Sequence, residues 1–234
     1  MKPIVRWTVG NVSKMGIRCL DASVGHFKHL YGNLFDYYIC YNQIKFSKIK
    51  FLNKYNIKFI DQTQHFNSLK IPPVQNHPCW KIYPPRIDKS VHEIFIDNDL
   101  VIYKKIPLID FFLEQKDLFF ITEGYRKSYG IFNSLIPDNF VVNTGFFGLP
   151  PHYDFKKDLD LNLDSWKPSS LKVHEDLKSK GHFDEQGLIA FILMNKKIKK
   201  IYLNEINIPI FERKFLKGEY GNHFVGINRK HIML

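Results

Sequence analysis

The chain is short of cysteine and of long apolar runs, and each shortage removes a class of answer. Its three cysteines, Cys19, Cys40 and Cys79, lie far apart in 234 residues. An odd, scattered set supports neither a disulfide framework nor a zinc knuckle, and it suits a reducing compartment. No apolar run approaches the ~20 residues needed to span a bilayer. The opening MKPIVRWTVGN lacks the uninterrupted apolar core of a secretory signal, so the expected location is cytoplasmic. No internal repeat or low-complexity segment is visible. A phosphate loop is missing as well. TVGNVSKMG holds Gly10 and Gly16 but neither G-x-G-x-x-G nor a Walker pattern. That counts against a Rossmann dehydrogenase and against the alternative reading as a nucleotidyltransferase or sugar-nucleotide pyrophosphorylase. Zinc-finger, RNA-recognition and arginine-rich signatures are also lacking, so nucleic acid is not the expected partner.

What is present is a core. Hydrophobic residues make up 44% of the chain and aromatics 15%, with 21 Phe and 12 Tyr, which excludes wholesale disorder. The length suits one large domain. Lys and Arg number 34 against 23 acids, a net charge of +11. Such an excess favours nucleic acid, an anionic membrane surface approached peripherally, or phosphate-bearing small molecules. It is spread along the chain, with small clusters at KIKF, NKKIKK and INRKH.

Along the chain, IVRWTVG predicts a first strand. Ser13 then caps a helix whose Ile17, Leu20, Val24, Phe27 and Tyr31 share one face. LFDYYICYN predicts a second strand, FSKIKFLNKY a short helix, and IKFI a third strand, the alternation of a parallel sheet. Between 62 and 90 five prolines forbid a continuous element. HEIFI follows as a central strand, then PLIDFFLE as helix, LFFITEG and NFVVNTGFFGLPP as strands, DEQGLIAFILMNKK as helix, and KKIYLN and HFVGI as short strands. The fold class expected is a single α/β domain with a mostly parallel central sheet flanked by helices.

The chemistry begins at Asp97-Asn98-Asp99, where two carboxylates end an apolar strand. Asp and Asn also favour turns. Beside a buried strand, however, two acids carry a desolvation cost unless a cation or donors meet them. In an extended segment Asp97 and Asp99 project to the same side and reach one ion. Their hard oxygens suit Mg²⁺ or Mn²⁺. Near the C-terminus, HFVGINRKH offers His223, a close-approach glycine at Gly226, and the cations Arg229 and Lys230. NTGFFGLPP contributes Asn143, Thr144 and Gly145, and HFDEQG opens a helix with Asp184, Glu185 and Gln186.

The order of these four segments resembles the nucleotide-sugar-dependent glycosyltransferases of the GT-A fold, distantly the glycogenin and lipopolysaccharide galactosyltransferase type. The resemblance runs from VRWTVG to NRKH. It implies a nucleotide-binding part over about 1–105 and an acceptor-side part over about 106–234. It further implies that Asp97, Asp99 and His223 bind Mn²⁺ or Mg²⁺ on the diphosphate of a UDP- or GDP-sugar, with Asn98 in the donor site. Arg86, Arg229 and Lys230 become phosphate contacts with Gly226 beside them, and Thr8, Val9 and Asn42 nucleoside contacts. Glu123 and Arg126 reach donor-sugar hydroxyls, with Asn143-Thr144-Gly145 near the sugar. Asp184-Glu185-Gln186 looks like the family's Asp-Gln pair with an inserted Glu. Asp184 or Glu185 would be the base of an inverting enzyme, while a retaining one would place Gln186 there. The acceptor is a glycan, a lipid-linked sugar or a protein.

Overall fold

The computed structural model describes residues 1–10, 12–42, 44–62, 81–82, 84–162, 182–208, 217–224 and 229; the side chains of residues 131 and 182–184 lie outside that description. Cys79, Gly226 and Lys230 fall outside it too.

IVRWTV forms β1 (Ile4–Val9), buried along its length. Ser13 Oγ accepts from Gly16 N at 3.2 Å and caps α1 (Lys14–Tyr31), satisfying one of the free amides of the first turn. Leu20, Val24, Phe27 and Tyr31 form its buried face. Gly32, at φ 54, ends it by returning its N–H to Lys28 O, a conformation glycine adopts without Cβ strain. The chain comes back as β2 (Asp36–Tyr41), parallel to β1.

The helix expected over FSKIKFLNKY is instead two 3₁₀ helices, Phe46–Lys48 and Lys50–Tyr55. Ile49 and Leu52 are buried at a spacing of three while their neighbours are exposed, so they eclipse on the inward side of the 3₁₀ pair. β3 (Lys58–Asp61) follows, parallel to β2.

Next come β4 (Glu93–Asp97), β5 (Leu100–Ile102), α2 (Pro107–Glu114), β6 (Phe119–Glu123), β7 (Val142–Leu149), α3 over 155–162, α4 (His182–Leu193), β8 (Ile198–Ile201), β9 (Ile206–Asn207) and β10 (Gly221–His223). The main sheet runs β3-β2-β1-β4-β7-β6-β8, with β7 antiparallel to both neighbours and the other pairings parallel. HEIFI is central, as its unbroken apolar character demands. Alternation along the strands feeds two cores, one on each face. Ile94, Ile96, Phe120 and Phe146 face the side of α1 and α2. Phe95, Ile121 and Phe147 face Phe155, Leu159, Leu188 and Leu193.

β5, β10 and β9 make a second, small sheet. It is tied to the first through a buried relay in which Trp7 Nε1 donates to Ser23 Oγ at 2.8 Å and Ser23 Oγ donates to Leu100 O. No helix among the described residues is long and apolar enough to cross a membrane.

Candidate active site

The apolar run 94–102 is not one strand interrupted by carboxylates. It is two strands in two sheets, β4 and β5, and Asn98 and Asp99 form the turn between them. β10 pairs antiparallel with β5, setting His223 opposite Leu100, and Phe224 N donates to Asp99 O at 2.8 Å. His223 Nε2 therefore stands 3.1 Å from Asp99 Oδ1 and 3.5 Å from Asp97 Oδ2. The two aspartates converge through this turn and its cross-strand partner, not through alternation along an extended segment as the sequence suggested. The site opens on the Asp97 side, whose side chain is 28% exposed against 5% for Asp99 and 6% for His223.

Asp97, Asp99 and His223 each offer an atom within 4.8 Å of the others. Two carboxylates and an imidazole are a donor set that Mn²⁺ and Mg²⁺ accept. The second ring nitrogen, Nδ1, is buried with no hydrogen-bond partner among the described residues, none of which commits the ring on that side. The residues fit a hard divalent ion.

Two cations grip the same carboxylates. Lys81 Nζ lies 2.6 Å from Asp97 Oδ1 and 3.7 Å from Glu185 Oε1, and donates to Thr144 O at 2.8 Å. Arg229 donates to Asp99 Oδ2 from Nε at 2.9 Å and Nη2 at 2.7 Å. Sequence reasoning proposed Arg229 and missed Lys81. Its signal was a lone cation between Trp80 and Ile82, an apolar setting in which an ammonium needs an anion. Arg6 Nη2 and Thr8 Oγ1 both donate to Lys81 O at 3.3 Å, so β1 fixes the lysine's backbone.

Burial dominates the proton affinities here, and pairing then decides their direction. Burial disfavours the charged forms of Asp99 and His223. The His223–Asp99 hydrogen bond and charge pair overcome it. With Arg229 adding to them, they hold the Asp99 carboxyl below the usual range; with Asp97 adding to them, they raise His223. Burial likewise opposes the Lys81 charge, but Asp97 and then Glu185 restore it and raise its pKa. Glu185 has no such rescue. Burial pushes it up to about 8, Asp97 adds to the rise, and Lys81 offsets it only in part.

Thr8 is paired with Asp97 across β1 and β4. Val9 and Asn42 are buried at the ends of β1 and β2, with Asn42 N donating to Val9 O. Asn143 Oδ1 accepts from Gly145 N at 2.8 Å. A Cβ on Gly145 would lie 2.3 Å from His223 Cε1, so glycine is what lets β7 pass the imidazole. Gln186 Nε2 donates to Ser128 O at 2.9 Å, and its Oε1 accepts from Thr144 N at 3.4 Å. The start of α4 is thereby joined to the Asn-x-Gly segment.

One assignment is corrected. Arg86 is not a phosphate contact: it pairs with Glu93 at 3.0 Å and donates to the carbonyls of Pro150, Tyr153, Asp88 and Val91. It sits at the opposite end of β4. Asn98 donates to Gly16 O at 3.3 Å, tying the turn to α1. Glu123 Oε2 accepts from Leu203 N at 3.1 Å and Arg126 is exposed. The Asp184 side chain, Gly226 and Lys230 lie outside the described residues.

By sequence the chain matches no protein-family model and no curated protein. By structure it is similar to mouse xyloside xylosyltransferase 1, with a TM-score of 0.63 and 12% identity over 95% of this chain and 97% of that one. The galactosyltransferase LgtC, in complex with donor and acceptor sugar analogues, gives a TM-score of 0.61 and 10% identity over 96% and 87%. The chain has the GT-A fold. The bifunctional glycosyltransferase WbbM aligns at a TM-score of 0.54 and 12% identity, over 88% of this chain and 40% of its own. In a GT-A sheet of this order, the ends of β1, β2 and β4 form one carboxyl edge, where open α/β sheets bind ligands.

Proposed function

We propose that the chain is a glycosyltransferase moving a sugar from a UDP- or GDP-sugar to a hydroxyl of a glycan, lipid-linked or protein acceptor. Mn²⁺ or Mg²⁺ would be held by Asp97, Asp99 and His223. The observation that carries this reading is the meeting of two carboxylates and an imidazole at the carboxyl edge of the central strand, in a fold shared with sugar-transferring enzymes. When bound, the ion supplies positive charge to the diphosphate as it leaves.

The reaction forms a bond from the acceptor oxygen to the anomeric carbon and breaks the one to the diphosphate; the hydroxyl loses its proton. Lys81 and Arg229, now on carboxylates, are the cations nearest that leaving group. Thr8, Val9 and Asn42 lie where the nucleoside fits. Gly145 keeps the β7 backbone close without crowding His223. Glu185, with a pKa of about 8, carries its proton at neutral pH and acts as a hydrogen-bond donor to the sugar. As a base it serves only where it has lost that proton. Glu123 and Arg126, at the end of β6, are assigned to sugar hydroxyls.

The test is incubation with a panel of UDP- and GDP-sugars and Mn²⁺, measuring free nucleoside diphosphate and pyrophosphate separately. Nucleoside diphosphate that disappears in Asp97→Ala supports transfer. Pyrophosphate release would instead make the protein a pyrophosphorylase. Metal-free binding of nucleotide, unchanged in Asp97→Ala, would sink the metal assignment.

A further inference from the structure

Just past the carboxyl end of β2, the 3₁₀ pair between β2 and β3 carries a surface not assigned to the transfer reaction. Its three-residue period turns Ile49 and Leu52 inward and leaves Lys45, Phe46, Lys48, Lys50, Phe51 and Lys54 outward. Phe46 and Phe51 are 42% and 40% exposed. The Phe46 ring leans on Phe59 at 5.1 Å and on Tyr41 at 6.0 Å between centroids, so the apolar surface is continuous with the sheet edge. Lys54 is taken by Asp21 and Lys58 by Asp36. Among the described residues Lys45, Lys48 and Lys50 have no carboxylate at ion-pair distance. The neighbouring cleft adds Arg18, His26 and His29 from α1, with its one acid, Asp21, already paired to Lys54 and Tyr55.

We propose that this face docks peripherally on an anionic lipid surface, with Phe46 and Phe51 entering the headgroup layer and Lys45, Lys48 and Lys50 meeting lipid phosphates. Unpaired lysines around exposed phenylalanines are complementary to such a surface in both charge and polarity. A nucleic acid would want polar groups aimed at base edges, and the outward groups beside the lysines here are two phenylalanines, with the Phe46 ring packed edge-on against Phe59 and the Lys54 ammonium 5.4 Å over the Phe51 ring. Tyr41 ends β2, two strands from Asp97 in the sheet, or roughly 10 Å at ordinary strand spacing. Docking therefore brings the carboxyl edge beside the headgroups.

The test is co-sedimentation of the full chain with phosphatidylcholine vesicles, with and without phosphatidylserine. Binding is expected only with phosphatidylserine. The triple variant Lys45→Gln, Lys48→Gln, Lys50→Gln lowers the partition coefficient about a hundredfold, at about fivefold per lysine. Phe46→Ser with Phe51→Ser lowers it by about tenfold, with thermal unfolding checked because Phe46 is partly packed. A control triple on the opposite edge, Lys116→Gln, Lys197→Gln, Lys199→Gln, removes the same charge and leaves partition within about twofold. Equal losses in the two lysine triples would reduce the effect to net charge and overturn the patch. So would an absence of binding to phosphatidylserine vesicles, or a stronger, patch-dependent affinity for duplex oligonucleotides.

Discussion

The two ends of β4 both bury charge, and they bury it differently. At the amino end, Glu93 meets Arg6 at 3.4 Å and Arg86 at 3.0 Å, with both guanidiniums also bonded to backbone carbonyls. Arg6 further lies 3.9 Å over the Phe95 ring. One acid is held by two rigid forks, each anchored to the main chain. At the carboxyl end, roughly 13 Å away at the usual rise per residue, Asp97, Asp99 and Glu185 face a flexible lysine, an arginine from the chain end and a histidine. Those partners meet the acids through side chains, with Lys81 also donating to Thr144 O. The first cluster holds Lys81, Pro84 and Arg86 and segment 150–153 against the sheet. The second is rich in acid and partly open, with the Asp97 side chain 28% exposed. Buried charge alone does not mark a site; an excess of acid at an open edge does.

That contrast is broken most directly by substituting each end. Asp97→Ala and Asp99→Ala are expected to lower transfer by about 10³-fold or more and to abolish metal-dependent nucleoside diphosphate binding in calorimetry, with the far-UV spectrum unchanged. Loss of the folded spectrum would make this end structural after all. Glu93→Ala, by contrast, strands two buried guanidiniums and should lower stability by about 3–5 kcal/mol, read as a urea midpoint. A midpoint matching the wild type would show that the forks need no acid.

A finer probe is pH. Glu185 has its folded pKa raised to about 8 from 4.5, so the native state binds its proton more tightly than the unfolded chain. Stability from this group is full below about pH 4.5, falls as pH rises to about 8, and is flat beyond. Glu185→Gln should therefore gain on the wild type across that window, by an amount on the order of a few kcal/mol. Parallel stability curves would refute a protonated Glu185. The smallest effect expected is that of Gly145→Ala, which pushes on the His223 ring and should weaken Mn²⁺ binding about tenfold, followed by Mn²⁺ electron paramagnetic resonance without any sugar present.

Local pattern announced much of this. The Ser13 cap and the α1 face, the parallel β1-β2-β3 start, the central place of HEIFI and the residues Asp97, Asp99, His223, Gly145 and Gln186 all carry signals within a few neighbours. What stayed hidden was set by distant pairings. Nothing near Arg86 shows that Glu93 and four loop carbonyls will surround it, and nothing near Lys81 names Asp97 or Thr144 as its partners. Nothing in the periodicity of 94–102 announces the change of sheet at the Asn98-Asp99 turn. FSKIKFLNKY reads as one helix because Ile49 and Leu52, three apart, share a face in either kind of turn.

Asp99 and His223 are 124 positions apart, and β10 must seat against β5 before the imidazole reaches either aspartate. During synthesis the chain thus carries its acidic turn for most of its length without a nitrogen ligand. Under the proposed function, tight retention of a divalent ion would be a late event, one that reports the closing of the small sheet.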